Sequence, residues 1–374
     1  MKRSLAYKRK HTAIKYVTLF CVLVLLLLTF FGCGNNAARN GEGILRVHYL
    51  DVGQSDCAFV EFSDDFTMLV DASDSEHAEL VCDYIRALGH SDIDVIVLTH
   101  PHSDHVGGAE TIIDEFETGV IYMTDISAYS AEYESLCSLI EKEQISVIEA
   151  ERGVLFELGQ AMCSFISPSK NDSYEGENDM SAVLRIEYGE RAFLFMGDCE
   201  EDAENGILDS KSKVKADVVK VGHHGSNSSS TQKFIKATGA GYAVISCGAD
   251  NDYGHPSVYA VDRWQSAGAR VFRTDINSTV AAVTDGAELF VGEAKDSSFW
   301  DSVHFDGYLS EGESEGTAES SQRILWVLNT ESHTIHTPSC YLAASLTEKV
   351  REDSAADIEL LEAEGYRRCE RCFK

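Results

Sequence analysis

The stretch Thr99–Gly108, THPHSDHVGG, places three histidines and an aspartate in six consecutive positions, in a chain of 374 residues with 13 histidines. A polar surface turn needs none of them. Imidazole nitrogen and carboxylate oxygen at short fixed spacing are what a divalent cation needs as ligands. The apolar run IDVIVLT just before the cluster reads as a buried strand, and GGAETIIDEF just after it as a helix. A loop between two such elements fixes the backbone direction, so that His100 and His102 can share one metal while Asp104 and His105 face a second.

The elements that must hold this loop are short and numerous. ILRVHYL, CAFVEF, TMLVDA, MSAVLRIEY, RAFLFMG, ADVVKVG and YAVISCG read as strands, with RVFRT, TVAAVT and ELFVG as shorter ones, and EHAELVCDYIRALG reads as an amphipathic helix. Strands with interspersed helices indicate sheets covered by helices, an α/β class. Length suits two or three units, and 44% hydrophobic content suits a sizeable core. Net charge is −31, and the residues before Cys33 contain bases but no acid, so the rest of the chain is more acidic still. Such a surface repels polyanions, and strong binding to duplex DNA is not expected.

The cluster resembles the H-x-H-x-D-H signature of the metallo-β-lactamase superfamily. That resemblance implies an αββα sandwich with its site at one edge of two sheets, and a one- or two-metal hydrolase in which a metal-bound hydroxide attacks. It also implies ligands further along: Asp198 in FMGDCE as a bridge between two metals, and one histidine of VKVGHHGS. His223 is the preferred ligand, joining Asp104 and His105, with His224 supporting it or facing substrate. Asp104 and Asp198 are the expected catalytic carboxylates. Many superfamily members have a further histidine between these motifs, whereas this chain has none from Val106 to Gly197. Asn178, Asp179 and Ser181 are the nearest polar candidates, and the expectation is a weakly held first metal or a single metal.

A finer resemblance runs from about Ile44 to Gly292. LDVGQSDCAF, LVDAS, ENDMSAVLRIEYGERAFLFMGDCEEDAE, DVVKVGHHGSNSSS and YGHPS…RVFRTD are similar to the extracellular hydrolase domain of ComEC-type competence proteins. Ser55 and Ser257 depart from that pattern. By this resemblance Asp51, Gln54 and Asp56 lie near the site, and His255 of the Gly-His-Pro motif contacts substrate. Lys220 and Arg273 are the basic residues to test for phosphate contact, with ordinary solvated charge as the alternative.

Both ends of the chain add expectations. A basic segment ending at Lys15 precedes the apolar run Val17–Phe31 and then FFGC. This has the length of a signal-peptide core and resembles a bacterial lipobox, with Cys33 as the lipidated residue and Phe30 as a departure. An uncleaved anchor is the alternative; either puts the chain on the extracellular face of the bacterial membrane. At the other end His336, Cys340, Cys369 and Cys372 have the spacing of a closed structural zinc site, in a module too small to fold on its core alone. The module resembles the small zinc-binding domain of Ada-type proteins. The organisation expected is an export segment at 1–33, a linker at 34–43, the hydrolase domain at 44–293, an acidic Ser/Gly linker at 294–322 and the zinc module at 323–374.

Together these features predict a membrane-attached hydrolase with one or two divalent ions, zinc or manganese, in its site and one structural zinc in its tail, acting on phosphodiester bonds. The alternatives are a degenerate, non-enzymatic metal-binding surface protein, or a hydrolase of another ester, lactone or β-lactam.

Overall fold

The computed structural model describes residues 43–124, 130–172, 174, 176–295, 299–300, 303, 326–330, 332–336, 351–354, 361 and 365–368. Fifteen strands among them build two sheets. They are β1 (Leu45–Tyr49), β2 (Ala58–Glu61), β3 (Thr67–Val70), β4 (Asp92–Leu98), β5 (Glu117–Met123), β6 (Ser146–Glu149), β7 (Leu155–Leu158), β8 (Ala161–Ser167), β9 (Val183–Tyr188), β10 (Arg191–Phe195), β11 (Val218–Lys220), β12 (Tyr242–Ile245), β13 (Arg270–Arg273), β14 (Val280–Thr284) and β15 (Leu289–Glu293). The first sheet has the order β15-β14-β1-β2-β3-β4-β5-β6, the second β13-β12-β11-β10-β9-β8-β7.

Alternation along the strands explains the layers. Successive side chains point to opposite faces. Val95 and Val97 of β4 therefore join Phe193 and Phe195 of β10 between the sheets, in a core that also holds Tyr49, Met68, Val244 and Phe272. Ile96 and Leu98 of β4 turn the other way, onto Val81 and Ile85 of the helix Ala78–Ala87 and Ile112 of the helix Ala109–Glu115. Leu194 of β10 likewise meets Ala203, Phe234 and Trp264 from helices on the outside of the second sheet. Three apolar layers thus separate helix, sheet, sheet and helix. Strands buried on both faces read as continuous apolar runs, which is why β4 and β10 are so plain in the sequence.

Between Phe116 and Asn178 the sequence suggests no element, yet the structure has β5, β6, β7, β8 and the helix Ala131–Glu143 there. β6 is exposed throughout and β5 and β7 are half exposed, so their apolar pattern is broken. The wall of the sandwich also runs past Glu293. Phe299, Trp300 and Val303, in the span read as linker, pack on Ala281 and Val283 of β14, and Trp300 stacks on His48 with ring centroids 6.3 Å apart. Two large aromatics from that span thus find apolar sheet surface.

A small sheet of four short strands, which includes Trp326–Asn329 and Thr334–His336, closes the described residues. Cys340, Cys369 and Cys372 lie outside them, as do Cys33 and the apolar run Val17–Phe31. Among the described residues no helix is long and apolar enough to cross a membrane. Six described cysteines are free, and of these Cys137 is exposed and the other five are buried.

What positions the site is the direction of the strands. β3, β4 and β5 run parallel in the first sheet, and β10, β11, β12 and β13 in the second. In open α/β sheets ligands bind beyond the carboxyl ends of parallel strands. Asp71 follows β3, His100 follows β4, Asp198 follows β10 and His223 follows β11, so one edge of the sandwich collects the chemistry.

Candidate metal centre

Asp198 stands at the middle of the donors. Its backbone N–H donates to Ser181 Oγ at 3.0 Å, and the preceding Gly197 has φ +52, where a Cβ would lie 2.8 Å from Thr99 Oγ1. Only glycine lets the two strand ends approach this closely. Asp198 Oδ1 lies 3.2 Å from His105 Nε2 and 3.7 Å from His224 Nε2. Asp104 Oδ2 is 3.1 Å from the same His224 nitrogen. Asp104, His105, Asp198 and His224 present donor atoms within 4.8 Å of one another, and His100, His102 and Asp198 form a second such group. His100 Nε2 lies 2.9 Å from His102 Nδ1 and 3.7 Å from Asp198 Oδ2.

The choice between the two histidines of HHGS changes with the structure. The imidazole that meets Asp104 is that of His224, whereas His223 turns its Nδ1 to Glu200 Oε1 at 2.6 Å. His223 is thus not in the group with Asp104 and His105. Both residues adopt the left-handed region (φ 49, ψ 51 and φ 49, ψ 27), which sends consecutive side chains in directions that a regular strand end would not.

Behind the donors lies a layer of buried carboxylates. Asp71 Oδ2 accepts from His105 Nδ1 at 2.8 Å and from Thr99 Oγ1 at 2.9 Å, while its Oδ1 accepts from the Thr99 N–H at 2.8 Å. This fixes the His105 tautomer and leaves Nε2 facing Asp198. Asp56 pairs with the buried Lys220 at 2.5 Å and lies 3.3 Å from His224 Nδ1, which also reaches the Ser246 carbonyl at 3.1 Å. Asp56, Asp71 and His105 also lie close together; Thr99 and His105 occupy both oxygens of Asp71, and Lys220 meets Asp56 Oδ2, while Asp56 Oδ1 is buried without a hydrogen-bond partner.

Charge at the centre follows from this packing. Burial opposes ionisation of Asp198, but His105, His224 and His100 outweigh it and hold the carboxyl well below its ordinary range. Burial likewise opposes ionisation of Asp104, yet the hydrogen bond from His224 and the charge of His105 bring it down to about 2. Burial favours neutral His224, but Asp198 and Asp56 push its imidazole up to about 10. His100 goes the other way, because burial and then His105 press it well below its ordinary value and keep it neutral, the ligand form. A cation fits this donor set. His105 Nε2 and Asp198 Oδ1 are buried without a hydrogen-bond partner although only 3.2 Å apart. Leaving buried polar atoms unpaired costs about 1–3 kcal/mol each, and a cation between them removes that cost.

The other expected residues fall into distinct places. Asp179 caps the helix Glu201–Asp209, its Oδ1 accepting from the N–H of Glu200 at 2.8 Å and of Ala203 at 3.2 Å. Gln54 accepts from the Gly248 N–H at 3.0 Å and ties two loops. Asp51 receives its backbone support from Thr279 Oγ1 at 3.2 Å. Asn178 Nδ2 faces His223 Nδ1 at 3.4 Å. The His255 ring lies 5.2 Å from that of His223 and 6.3 Å from that of His224, on the rim. Neither basic residue is free for a phosphate: Lys220 is buried against Asp56, and Arg273 is held by both oxygens of Asp275. Asp71, Thr99 and Glu200 support the centre although the sequence did not single them out. The LVDAS strand end was the available signal for Asp71.

Four layers with His and Asp donors gathered at the carboxyl ends of parallel strands define a metal-dependent hydrolase architecture. Residues 50–249 match the Metallo-beta-lactamase superfamily, and the chain belongs to that family. It is similar to ComE operon protein 3 of Bacillus subtilis, with 27% identity over 70% of this chain and 35% of that protein. It is also similar to Competence protein ComA of Neisseria gonorrhoeae, with 28% identity over 69% of this chain and 34% of that one. The chain thus spans about a third of the length of these relatives. The metallo-beta-lactamase fold protein YhfI from Bacillus subtilis superposes with a TM-score of 0.42 at 15% identity, over 67% of this chain and all of that one.

Proposed function

We propose that the protein is a two-cation hydrolase of phosphodiester bonds, displayed on the outer face of the membrane. The observation that carries this reading is the position of Asp198, whose two oxygens face separate donor groups, Asp104, His105 and His224 on one side and His100 and His102 on the other. Divalent ions held there supply Lewis acidity toward water and positive charge toward an anionic substrate. Paired sites of this kind serve in-line displacement at phosphorus in phosphatases and nucleases. The chain's own residues do the rest. Asp71 and Asp56 orient His105 and His224, and His255 lines the rim. Lys220 and Arg273 are spent on Asp56 and Asp275, so attraction for phosphate comes from the cations and small or single-stranded phosphodiesters suit the site better than duplex DNA.

Export rests on the Val17–Phe31 segment with Cys33 as lipid attachment, and the tail is proposed to hold one zinc through His336, Cys340, Cys369 and Cys372. The full chain assayed on bis-nitrophenyl phosphate, a short oligonucleotide, a lactone and a β-lactam, with and without Mn²⁺ or Zn²⁺, tests the substrate. Metal-dependent turnover of either phosphodiester is expected; turnover of only the lactone or β-lactam would overturn the reading.

A further inference from the structure

We propose that His223 supplies the third imidazole of the first cation group, with His100, His102 and Asp198 Oδ2, in place of the histidine missing between Val106 and Gly197. This rests on the two-cation reading above. His223 Nε2 lies 3.8 Å from Asp198 Oδ2, and His100 Nε2 lies 3.7 Å from that same oxygen, while His105 and His224 face Oδ1. The two histidines of HHGS therefore serve opposite sides of one carboxylate.

The other nitrogen of His223 is held as a ligand's would be. A carboxylate only accepts, so Nδ1–H donates to Glu200 Oε1 at 2.6 Å and the lone pair is left on Nε2, the atom that faces Asp198. Ser228 Oγ donates to the same Glu200 oxygen at 2.7 Å and steadies it. Asn178, whose amide oxygen is buried without a hydrogen-bond partner, stands against the same ring. The backbone supports the arrangement at a cost: φ is +49 at His223, and its N–H donates to the Gly197 carbonyl at 3.1 Å, which ties the HHGS turn to the Asp198 loop. Strain of this sort persists where surrounding structure imposes it, often at functional sites. His223 is partly accessible, its side chain 22% accessible against 0% for His100, so the first group opens to solvent on this side.

The test is the metal content of the full chain. Mn²⁺ is the probe, because thiolates of the tail favour softer zinc. Wild type is expected to bind two Mn²⁺ ions with the coupled spin-resonance signal of a close pair. His223→Gly removes the imidazole and suits the left-handed backbone, so it should keep the fold by circular dichroism. It should bind one ion at unchanged affinity, bind the other at least about tenfold more weakly, and show the signal of an isolated ion. Glu200→Gln should weaken the same ion by a smaller factor. Two ions bound by His223→Gly at wild-type affinity would overturn the assignment of His223 and leave the two-cation reading standing. A wild type that binds fewer than two would overturn the two-cation reading itself, and this assignment with it.

Discussion

The two donor groups that share Asp198 are built differently. Asp104, His105 and His224 are backed by Asp71, Asp56 and Lys220, with His105, Asp71, Asp56 and Lys220 all buried. On the other side, Thr99 lies behind His100, and the proposed ligand His223 rests on Glu200, which is partly exposed. The first arrangement is largely buried, whereas the second is partly open to solvent at His223 and Glu200. A cation is therefore expected to bind the buried group first and more tightly, and the open group is where a substrate can replace water.

Five substitutions probe that contrast. Asp198→Asn removes charge from both groups and should lower phosphodiester turnover by at least about 10³-fold, equivalent to about 4 kcal/mol of barrier, with the fold retained; steady-state rates measure it. Lys220→Met breaks the buried pair with Asp56 and strands a carboxylate beside His224. It should destabilise the protein by about 3–5 kcal/mol in denaturant unfolding. Lys213→Met, at an exposed pair with Glu187, should cost less than about 1 kcal/mol. Asp71→Asn takes away the acceptor that orients His105. It should weaken the tighter cation about 10- to 100-fold by calorimetric titration and leave the weaker one nearly unchanged. Glu200→Gln should do the reverse with the smallest effect, about tenfold or less on the weaker cation alone. Equal effects of Asp71→Asn and Glu200→Gln on both ions would erase the contrast.

Much of the fold and part of the site can be read from the sequence, for identifiable reasons. β4, β10 and β11 are buried on both faces and show as apolar runs, and each leads directly into a chemical motif, so the His100–His105 cluster and Asp198 stand out. β5 to β7 are half or wholly exposed and leave no run to see. Choosing His224 for the buried group required the backbone angles of two adjacent histidines, which residue type does not encode. Lys220 looks like a cation placed for phosphate because it precedes HHGS, but its position at the end of β11 carries the ammonium inward to Asp56. Asp71 reads as the start of a turn after LVD, and its role depends on Thr99 and His105, 28 and 34 residues away.

The most direct measurement is anomalous X-ray diffraction from crystals of the protein grown with Mn²⁺. Two anomalous peaks are predicted, about 3.5–4 Å apart, one beside Asp198 Oδ1 among Asp104, His105 and His224, the other beside Oδ2 among His100, His102 and His223. A single peak, or peaks that leave Asp198 out of the coordination of either ion, would contradict the shared-carboxylate centre.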